Sequence, residues 1–202
     1  MTDASADSDA GKPGGKRERT RAALIAATLE VVTERGFAGA SLDEIAARAG
    51  MTKGAIYSNF GGKGDLMLAA MVSKDLSVPG PTDPTAPLVD QFREIGHQLV
   101  AMLDRALGDA ALQTEFQLYA LTDPDMRRAL ADLYARSFDG SAGFLAQARD
   151  LRPDFPPRDL AIALQAVMMG FFVQSFLSPD EISEAVMVEA LVALAKGASI
   201  QN

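Results

Sequence analysis

Few side chains in this chain have the types and spacing that catalysis or metal binding requires. The sequence has no cysteine, and His97 is its one histidine. It contains no paired ligands at metal-binding spacing and no nucleophile turn of the G-x-S-x-G type. The residues therefore give no support to an enzyme, and we expect no catalytic residue, no metal site and no cofactor. The lack of cysteine fits a reducing cytoplasm.

The stretch with the clearest functional pattern is residues 41–60, SLDEIAARAGMTKGAIYSNF. Ser41 and Glu44 form an S-x-x-E capping box that begins a short helix. Gly50 is placed to end that helix in a left-handed conformation, and Thr52 is placed to cap a second one. Two helices joined by such a turn predict a helix-turn-helix, whose second helix enters the major groove of DNA. An ordinary helical hairpin inside an all-α core fits the same spacing.

The charge distribution favours nucleic acid near the N-terminus although the net charge is −8. Residues 10–64 hold nine Lys/Arg against five Asp/Glu, whereas residues 65–202 hold ten against nineteen. Arg17 and Arg19 lie in a basic run before the first helix, where they oppose the helix dipole. We interpret this run as an arm that reaches phosphates or a minor groove. A solvated charge run is the alternative.

Hydrophobic periodicity predicts an all-α chain, because no alternating strand pattern persists. We expect a disordered tail over 1–15, a three-helix DNA-binding domain over 16–62 and a helical regulatory and dimerisation domain over 63–202. About nine helices are expected. Gly36 is predicted to end the first of them, with Phe37 as the apolar contact of the stop, and Asp109, Asp123 and Ser178 are predicted caps of later ones. The later ones are predicted as a fourth over Leu66–Leu76, followed by Leu88–Leu107, Asp109–Leu121, Pro124–Arg149, Asp159–Leu177 and Pro179–Lys196.

Lys63 follows a glycine-rich turn and precedes the fourth helix. Free backbone N–H groups and the positive dipole end favour a phosphate there. A nucleotide-binding phosphate loop is rejected, because no strand precedes the glycines and no GK[ST] ending follows them.

The last two predicted helices are apolar on nearly every side. Residues 160–177 contain no charge, so their length approaches that of a membrane span, but polar interruptions favour a buried or dimer-forming helix. We predict that these two helices form a four-helix bundle with a second copy. Two core helices of a monomer are the alternative. The predicted dimer contacts are Leu164, Phe171, Phe176, Met187, Leu191 and Leu194.

An apolar ligand cavity is a further hypothesis for the C-terminal part, although plain core packing explains the same apolar residues. Methionine suits adaptable binding, and a few polar groups would orient a ligand. The candidate lining residues are His97, Met102, Phe116, Gln117, Tyr119, Gln165, Met168, Met169 and Phe172, with Gln113 as a further polar candidate. His97 is also explained as an ordinary satisfied or exposed histidine.

Residues 16–76 together resemble the DNA-binding domain of the tetracycline-repressor (TetR) family of bacterial transcriptional regulators. The matching residues run from Glu34-Arg-Gly-Phe37 through Ser41-Leu-Asp-Glu-Ile-Ala46 and Ala49-Gly50 to Thr52-Lys-Gly-Ala-Ile-Tyr57, Phe60, Lys63 and Leu66. Beyond residue 76 the likeness rests on helix count and on Gly170 and Pro179.

The resemblance implies a homodimer with two helix-turn-helix heads on a double-stranded operator and a small-molecule effector in each C-terminal domain. The DNA-facing positions it implies are Ser41, Thr52, Lys53, Gly54, Ala55, Tyr57, Ser58 and Lys63. The chain departs from the family at Ser58, where many members carry histidine, and at Gly64, where an acidic residue is common. The hypothesis is a cytoplasmic, ligand-released repressor that needs no membrane. A helical small-molecule-binding or scaffold protein without DNA function is the alternative.

Overall fold

The computed structural model describes residues 13–74, 80–106 and 110–200, and these residues contain nine α-helices and no β-strand. The expected all-α fold is confirmed. The helices are α1 (Pro13–Gly39), α2 (Leu42–Arg48), α3 (Lys53–Asn59), α4 (Lys63–Val72), α5 (Leu88–Ala106), α6 (Ala110–Thr122), α7 (Pro124–Leu145), α8 (Pro157–Leu177) and α9 (Glu184–Ala198). Most of the predicted disordered tail, the expected cap Asp109, and the expected helix ends Leu76 and Leu107 fall outside the described residues.

The chain folds as two compact units. We call them the head, formed by the described residues of Met1–Asp75 together with Glu115–Ala129, and the body, formed by those of Leu76–Thr114 and Leu130–Asn202. The expected boundary after residue 62 differs from this division, since α4 packs on α1 within the head. Gly64 of α4 also lies against the start of α7, where an added Cβ would be 3.2 Å from the Met126 backbone nitrogen.

The head core is assembled from one apolar face of each short helix. Ile45 of α2 and Ile56 of α3 are fully buried, as is Leu24 of α1. The regular helical conformation of α1 breaks at Gly36, where φ is 70°, a left-handed value that favours glycine. Phe37 follows and is only 1% exposed, as the predicted helix stop requires.

The body core joins α5, α8 and α9. One buried cluster consists of Leu88, Phe92, Ile95, Leu145, Ala148, Leu160, Ala161, Leu164, Leu191, Ala195 and Ala198. A second consists of Leu99, Met102, Leu103, Phe172 and Met187. The end of α9 is tied to the connection between α7 and α8, because the Arg152 N–H donates to the Ala198 carbonyl oxygen at 2.9 Å.

Several predicted helix bounds need correction. The last helix begins at Glu184 rather than Pro179, because the Glu181 and Ile182 N–H groups bond back to the Ser178 carbonyl oxygen and form a separate turn. Ser183 caps α9 with its hydroxyl oxygen, which accepts from the Val186 N–H at 3.4 Å. In addition, α4 begins three residues earlier than predicted, α8 begins two residues earlier, and α7 ends four residues earlier.

The predicted dimer contacts also need correction, because half of them are interior to the body. Leu164, Met187 and Leu191 are 8%, 4% and 0% exposed, so they are occupied by packing within one chain. Phe171, Phe176 and Leu194 are half-buried and pack against the same two clusters. The outward faces carry smaller side chains instead: Ala166, Gly170, Gln174 and Leu177 on α8, and Val186, Glu189, Ala193 and Gly197 on α9.

Helix α8 is long and apolar enough to cross a membrane by length and composition alone. Its mean hydropathy is 1.9, and 22% of its most apolar window is buried within the chain. One such helix is weak evidence for a membrane, since helices in the cores of soluble proteins pass the same test.

Candidate nucleic-acid interface

Local hydrogen bonds fix the turn between α2 and α3. Ser41 begins α2 as predicted, and its hydroxyl oxygen accepts from the Glu44 N–H at 3.2 Å. At the other end Gly50 is left-handed, with φ of 65°. The Met51 N–H donates to the Ala46 carbonyl oxygen and the Gly50 N–H to that of Ala47, which is the Schellman pattern.

The predicted capping box is only half formed. The Glu44 carboxylate lies 2.9 Å from Arg35 Nε, so this side chain joins α2 to α1. Arg48 makes a second such link, since its guanidinium donates to both Glu34 carboxylate oxygens at 2.7 and 2.8 Å. These hydrogen bonds lower the pKa of Glu34. Arg35 and Arg48 are therefore paired with acidic residues within the head.

Helix α3 turns one apolar residue inward and most of its polar residues outward. Ile56 is fully buried, whereas Tyr57 is 57% exposed. The backbone at Thr52 takes the N-cap conformation, but its hydroxyl makes no capping hydrogen bond. The remaining candidate residues on this face, Lys53, Gly54 and Ser58, are exposed, and Ala55 is half-exposed.

Gly54 is a glycine that the head does not need for packing. Apart from its chain neighbours and the backbone of α3 itself, the one described atom that an added Cβ would approach is the Thr52 hydroxyl oxygen, at 3.6 Å. Its neighbour Lys53 forms an ion pair in which Nζ lies 3.1 Å from Asp43 Oδ2. The outer surface of α3 thus combines hydroxyl groups, one ammonium group and a position with no side chain.

Arg17 and Arg19 are exposed, but the structure places them on helix α1 rather than on an extended arm. The expectation of an arm is corrected in that respect. Arg21 is directed inward instead, where it donates to the Asn59 carbonyl oxygen and its guanidinium carbon lies 4.1 Å from the centre of the Phe60 ring.

Lys63 is the DNA-facing candidate whose placement departs most from expectation. Its Nζ lies 3.4 Å from the Phe37 carbonyl oxygen and 5.2 Å from the centre of the Tyr119 ring. Burial lowers the pKa of Lys63, and the nearby Asp123 carboxylate opposes that shift. In the free protein this ammonium group of the half-buried Lys63 therefore contacts other residues of the head, and its expected phosphate contact stays a prediction.

Three residues of the expected ligand pocket, Phe116, Gln117 and Tyr119, are likewise part of the head. Phe116 and Tyr119 pack on Phe37, with ring centres 5.3 and 6.1 Å from its own. The Phe37 N–H donates to a Glu115 carboxylate oxygen at 2.9 Å. Phe116 and Tyr119 therefore help to complete the hydrophobic core of the head beneath α1.

Tyr119 also makes a polar contact with the cap of α7. Its hydroxyl donates to Asp123 at 2.9 Å, and burial followed by this bond raises the pKa of Tyr119 to about 12. Asp123 accepts from the Met126 and Asp125 N–H groups, as its predicted role as a cap requires. These bonds lower the pKa of Asp123, the one from Met126 most strongly.

All the pocket candidates other than the three in the head lie in the body. Met102 and Phe172 share one buried cluster, and Met168 packs against both clusters. Gln165 and Met169 lie on α8 and are half-buried, as is Gln117 on α6, which belongs to the head. His97 lies on the surface, where its Nδ1 is 2.8 Å from a Glu184 carboxylate oxygen.

The groove beside His97 is lined mainly by charged and polar side chains of α5: Asp90, Arg93, Glu94, His97 and Gln98, with Ala101. The other expected lining residues do not contribute to that groove. Within the described part of the chain, no three histidine or acidic side chains lie close enough to hold a metal ion.

The sequence did not reveal which residues interact with three acidic side chains of the head. Asp43, Glu115 and Asp123 each interact with a residue on another helix or turn, and two of the three partners lie more than fifty positions away. Such long separations leave no local pattern. Only the role of Asp123 as a cap before Pro124 carried a signal in the sequence.

Two family models cover most of the chain. Residues 24–70 match the model described as "Bacterial regulatory proteins, tetR family", and residues 89–198 match "BetI-type transcriptional repressor, C-terminal". The chain belongs to the TetR family of bacterial regulatory proteins. The first match ends within α4, in agreement with the placement of that helix in the head.

Named relatives agree with this assignment. The chain is 35% identical over 93 residues to the HTH-type transcriptional regulator SrpR of Pseudomonas putida, an alignment that covers 46% of this chain and 42% of SrpR. It is 34% identical to the uncharacterized HTH-type transcriptional regulator TtgW, also of Pseudomonas putida, covering 46% of this chain and 67% of TtgW. The chain thus aligns with less than half of SrpR.

Similarity to a solved structure extends over nearly the whole TetR-type chain. The crystal structure of the multidrug binding protein EbrR complexed with imidazole is 28% identical, with a TM-score of 0.66. The superposition covers 94% of this chain and 96% of EbrR. The fold of the chain is therefore similar to that of EbrR.

Proposed function

We propose that this protein is a homodimeric, ligand-responsive transcriptional regulator that acts as a repressor at a palindromic DNA operator. The observation that carries the proposal is the outer face of α3, where hydroxyl and ammonium groups surround a glycine that packing does not require. The TetR family match supports it.

In this proposal the polar side chains divide between phosphates and bases. Thr52, Tyr57 and Ser58 bind phosphate oxygens through their hydroxyl groups, and Ser41 does so from the start of α2. Lys53 donates to base acceptors in the major groove, and the Ala55 methyl contacts a thymine methyl.

Other residues act at the edges of this contact. The missing side chain of Gly54 permits close approach of α3 to the DNA, and Arg17 and Arg19 add phosphate contacts from α1. Lys63 stays a predicted phosphate contact, although its ammonium group faces Phe37 and Tyr119 in the free protein.

The proposed dimer uses the outward faces of α8 and α9. Beyond its first turn α8 exposes Ala166, Gly170, Gln174 and Leu177, and exposed apolar surface is typical of an interface between subunits. Gly170 and Ala166 permit close approach of a second helix. Such a dimer places two recognition helices about one DNA turn, ~34 Å, apart.

We further propose that an apolar small molecule releases the regulator from DNA. The side chains of Met102, Met168 and Phe172 can repack around such a molecule, since methionine adapts to varied shapes. The name of EbrR as a multidrug binding protein supports an effector of this class. A molecule that prefers the conformer unable to bind the operator shifts the population away from DNA. As a regulator of this kind, the protein is expected in the cytoplasm.

The test is DNA binding measured with the region upstream of the gene and with a random DNA selection. Binding should weaken steeply with salt. The logarithm of the association constant should fall with the logarithm of the salt concentration, with a slope of about −0.9 for each phosphate contact. Tyr57→Phe should weaken binding to all sequences, while Lys53→Ala should also relax base preference. Arg136→Ala removes an exposed basic residue of α7, outside both proposed interfaces, and serves as the control.

A helical small-molecule-binding protein without DNA function is the second candidate, and the apolar clusters of the body are the observation that favours it. The same experiment separates the two functions. If the selection yields no operator while ligands raise the melting temperature of the chain, the repressor proposal is overturned and the second candidate is retained.

A further inference from the structure

The ion pair between Asp43 and Lys53 lies where the proposed docking brings the protein closest to DNA. Asp43 is in the first turn of α2, and Lys53 is the first residue of α3. Lys53 Nζ is 3.1 Å from Asp43 Oδ2, and the two side chains are 46% and 76% exposed. Exposed pairs of this kind contribute little to stability, so folding alone gives weak reason for it.

An aspartate at this position opposes non-specific DNA binding. Its carboxylate repels phosphates, and it cancels the charge of the one lysine on α3. This electrostatic repulsion is offset if the carboxylate accepts a hydrogen bond from a base. Aspartate is suited to accept from the N4 amino group of cytosine. Lysine donates to the O6 and N7 acceptors of guanine.

We propose that Asp43 and Lys53 act as one composite reader of a single G·C base pair, an inference that rests on the proposed function. Guanine O6 and cytosine N4 are hydrogen-bonded to each other, and are therefore about 2.9 Å apart. Their separation matches the 3.1 Å between Lys53 Nζ and Asp43 Oδ2. The ammonium group can thus donate to O6 and N7 while the carboxylate accepts from N4.

The same pair of groups is less suited to A·T. That base pair also presents a neighbouring donor and acceptor, adenine N6 and thymine O4. Placing the carboxylate on N6, however, brings it beside adenine N7, which is another acceptor, while the ammonium group meets the thymine methyl. A G·C pair satisfies every group of the reader, so Asp43 is a specificity-determining residue.

The ion pair also holds Lys53 before DNA arrives. A free lysine side chain loses rotamer entropy when it is fixed at a base edge. Pairing with Asp43 restricts Nζ to the position from which both groups face the same base pair. Part of the entropy loss that ordering Lys53 requires therefore occurs in the free protein, before DNA binds.

The test compares operator preference among variants of the full-length chain. Wild type, Asp43→Ala, Lys53→Ala and the double variant are each titrated with an operator selected by the wild type and with operators changed at single base pairs. For wild type, replacing one G·C pair in each half-site by A·T should weaken binding about 5- to 100-fold per half-site. Asp43→Ala should lose most of that discrimination, and so should Lys53→Ala.

In the double variant the two losses should not multiply, because both side chains read the same base pair. Asp125→Ala removes a similarly exposed acidic residue of the head and controls for the change in charge. It should preserve the base preference. Unfolding curves of each variant confirm that the head remains folded.

Two outcomes overturn the inference. If Asp43→Ala binds more tightly to all sequences with an unchanged preference, Asp43 only weakens binding electrostatically. If the losses of Asp43→Ala and Lys53→Ala map to different base pairs, the two residues are separate readers. Failure of the proposed function looks different, because wild type would then select no operator.

Discussion

Helices α3 and α8 both leave one face uncovered, but the two faces differ in chemistry. In α3, one of seven residues is buried, and the outer face carries hydroxyl groups and a lysine. In α8, four of twenty-one residues are buried, and beyond the first turn the exposed residues are Ala166, Gly170, Gln174 and Leu177. A polar face suits a hydrated, charged partner such as DNA, whereas an apolar face suits a second protein surface.

Exposure alone therefore does not identify a functional face. What identifies it is which side-chain groups have no partner inside the fold. At α3 this group is the hydroxyl of its N-cap residue Thr52, which makes no capping hydrogen bond, and the surface beside Gly54 is open as well. On α8 it is apolar area. If the two faces serve two different partners, substitutions on them should have different consequences.

The largest effect is expected from a charge on the outer face of α8. Ala166→Arg places a guanidinium in the proposed interface without a partner, which should weaken dimerisation by about 2–5 kcal/mol. Light scattering should then report a monomer at micromolar concentration, with operator affinity lost as well. Ala131→Arg, at an exposed position of α7, is the control. A dimeric Ala166→Arg protein would contradict the proposed interface.

Substitutions on the inner side of the body should lower the free energy of unfolding. Leu191 is fully buried, so Leu191→Ala should lower the free energy of unfolding by about 2–5 kcal/mol. Leu177 is 71% exposed, and Leu177→Ala should change it by less than about 0.5 kcal/mol. Denaturant unfolding in the monomeric Ala166→Arg background gives both values. Equal losses of unfolding free energy for the two variants would contradict the assignment of Leu191 to the core and of Leu177 to the surface.

In the head, the backbone at Gly36 should be more sensitive than that at Gly39. Gly36→Ala imposes a left-handed conformation on an L residue and brings its Cβ into overlap with a Glu115 carboxylate oxygen. We expect a loss of about 1–2 kcal/mol in head stability. Gly39→Ala, whose Cβ would have its nearest neighbour at 3.4 Å, should be neutral or stabilising. Thermal unfolding of the two variants provides the comparison.

The smallest effect in stability distinguishes the two caps of the helix-turn-helix. Ser41→Ala removes a capping hydrogen bond and should cost about 1 kcal/mol. Thr52→Ala removes a hydroxyl that caps nothing, so stability should change little while operator affinity falls. Unfolding and DNA titrations are measured on both variants. If Thr52→Ala lowers stability as much as Ser41→Ala, its hydroxyl is structural rather than free for DNA.

Local signals account for what could be predicted in the head. The cap at Ser41, the left-handed turn at Gly50 and the break in α1 at Gly36 each depend on a few neighbouring residues, and all three appear in the structure. The same holds for Asp123 before Pro124. The family resemblance also depends on this region, which is why the sequence predicts the head in most detail.

Contacts between distant segments account for what could not be predicted. Lys63 follows the glycines as a phosphate-binding lysine would, but Phe37 and Tyr119 hold it inward from positions 26 and 56 residues away. On α8 and α9, apolar residues lie on several sides, so hydropathy alone cannot tell Leu191 inside from Ala193 outside. The physical reason is that burial depends on tertiary neighbours.

The close contact between Gly64 and the backbone at Met126 has a consequence for engineering. A chimeric sensor that recombines this operator-binding unit with a foreign regulatory domain cannot be spliced at residue 62. The transplanted portion must include α4 and residues 115–129. Conversely, a donor sequence with an acidic residue at position 64 would crowd the Asp125–Met126 backbone, which would have to shift slightly unless the donor's own 115–129 segment is transferred with it. The exchangeable module is therefore discontinuous in sequence.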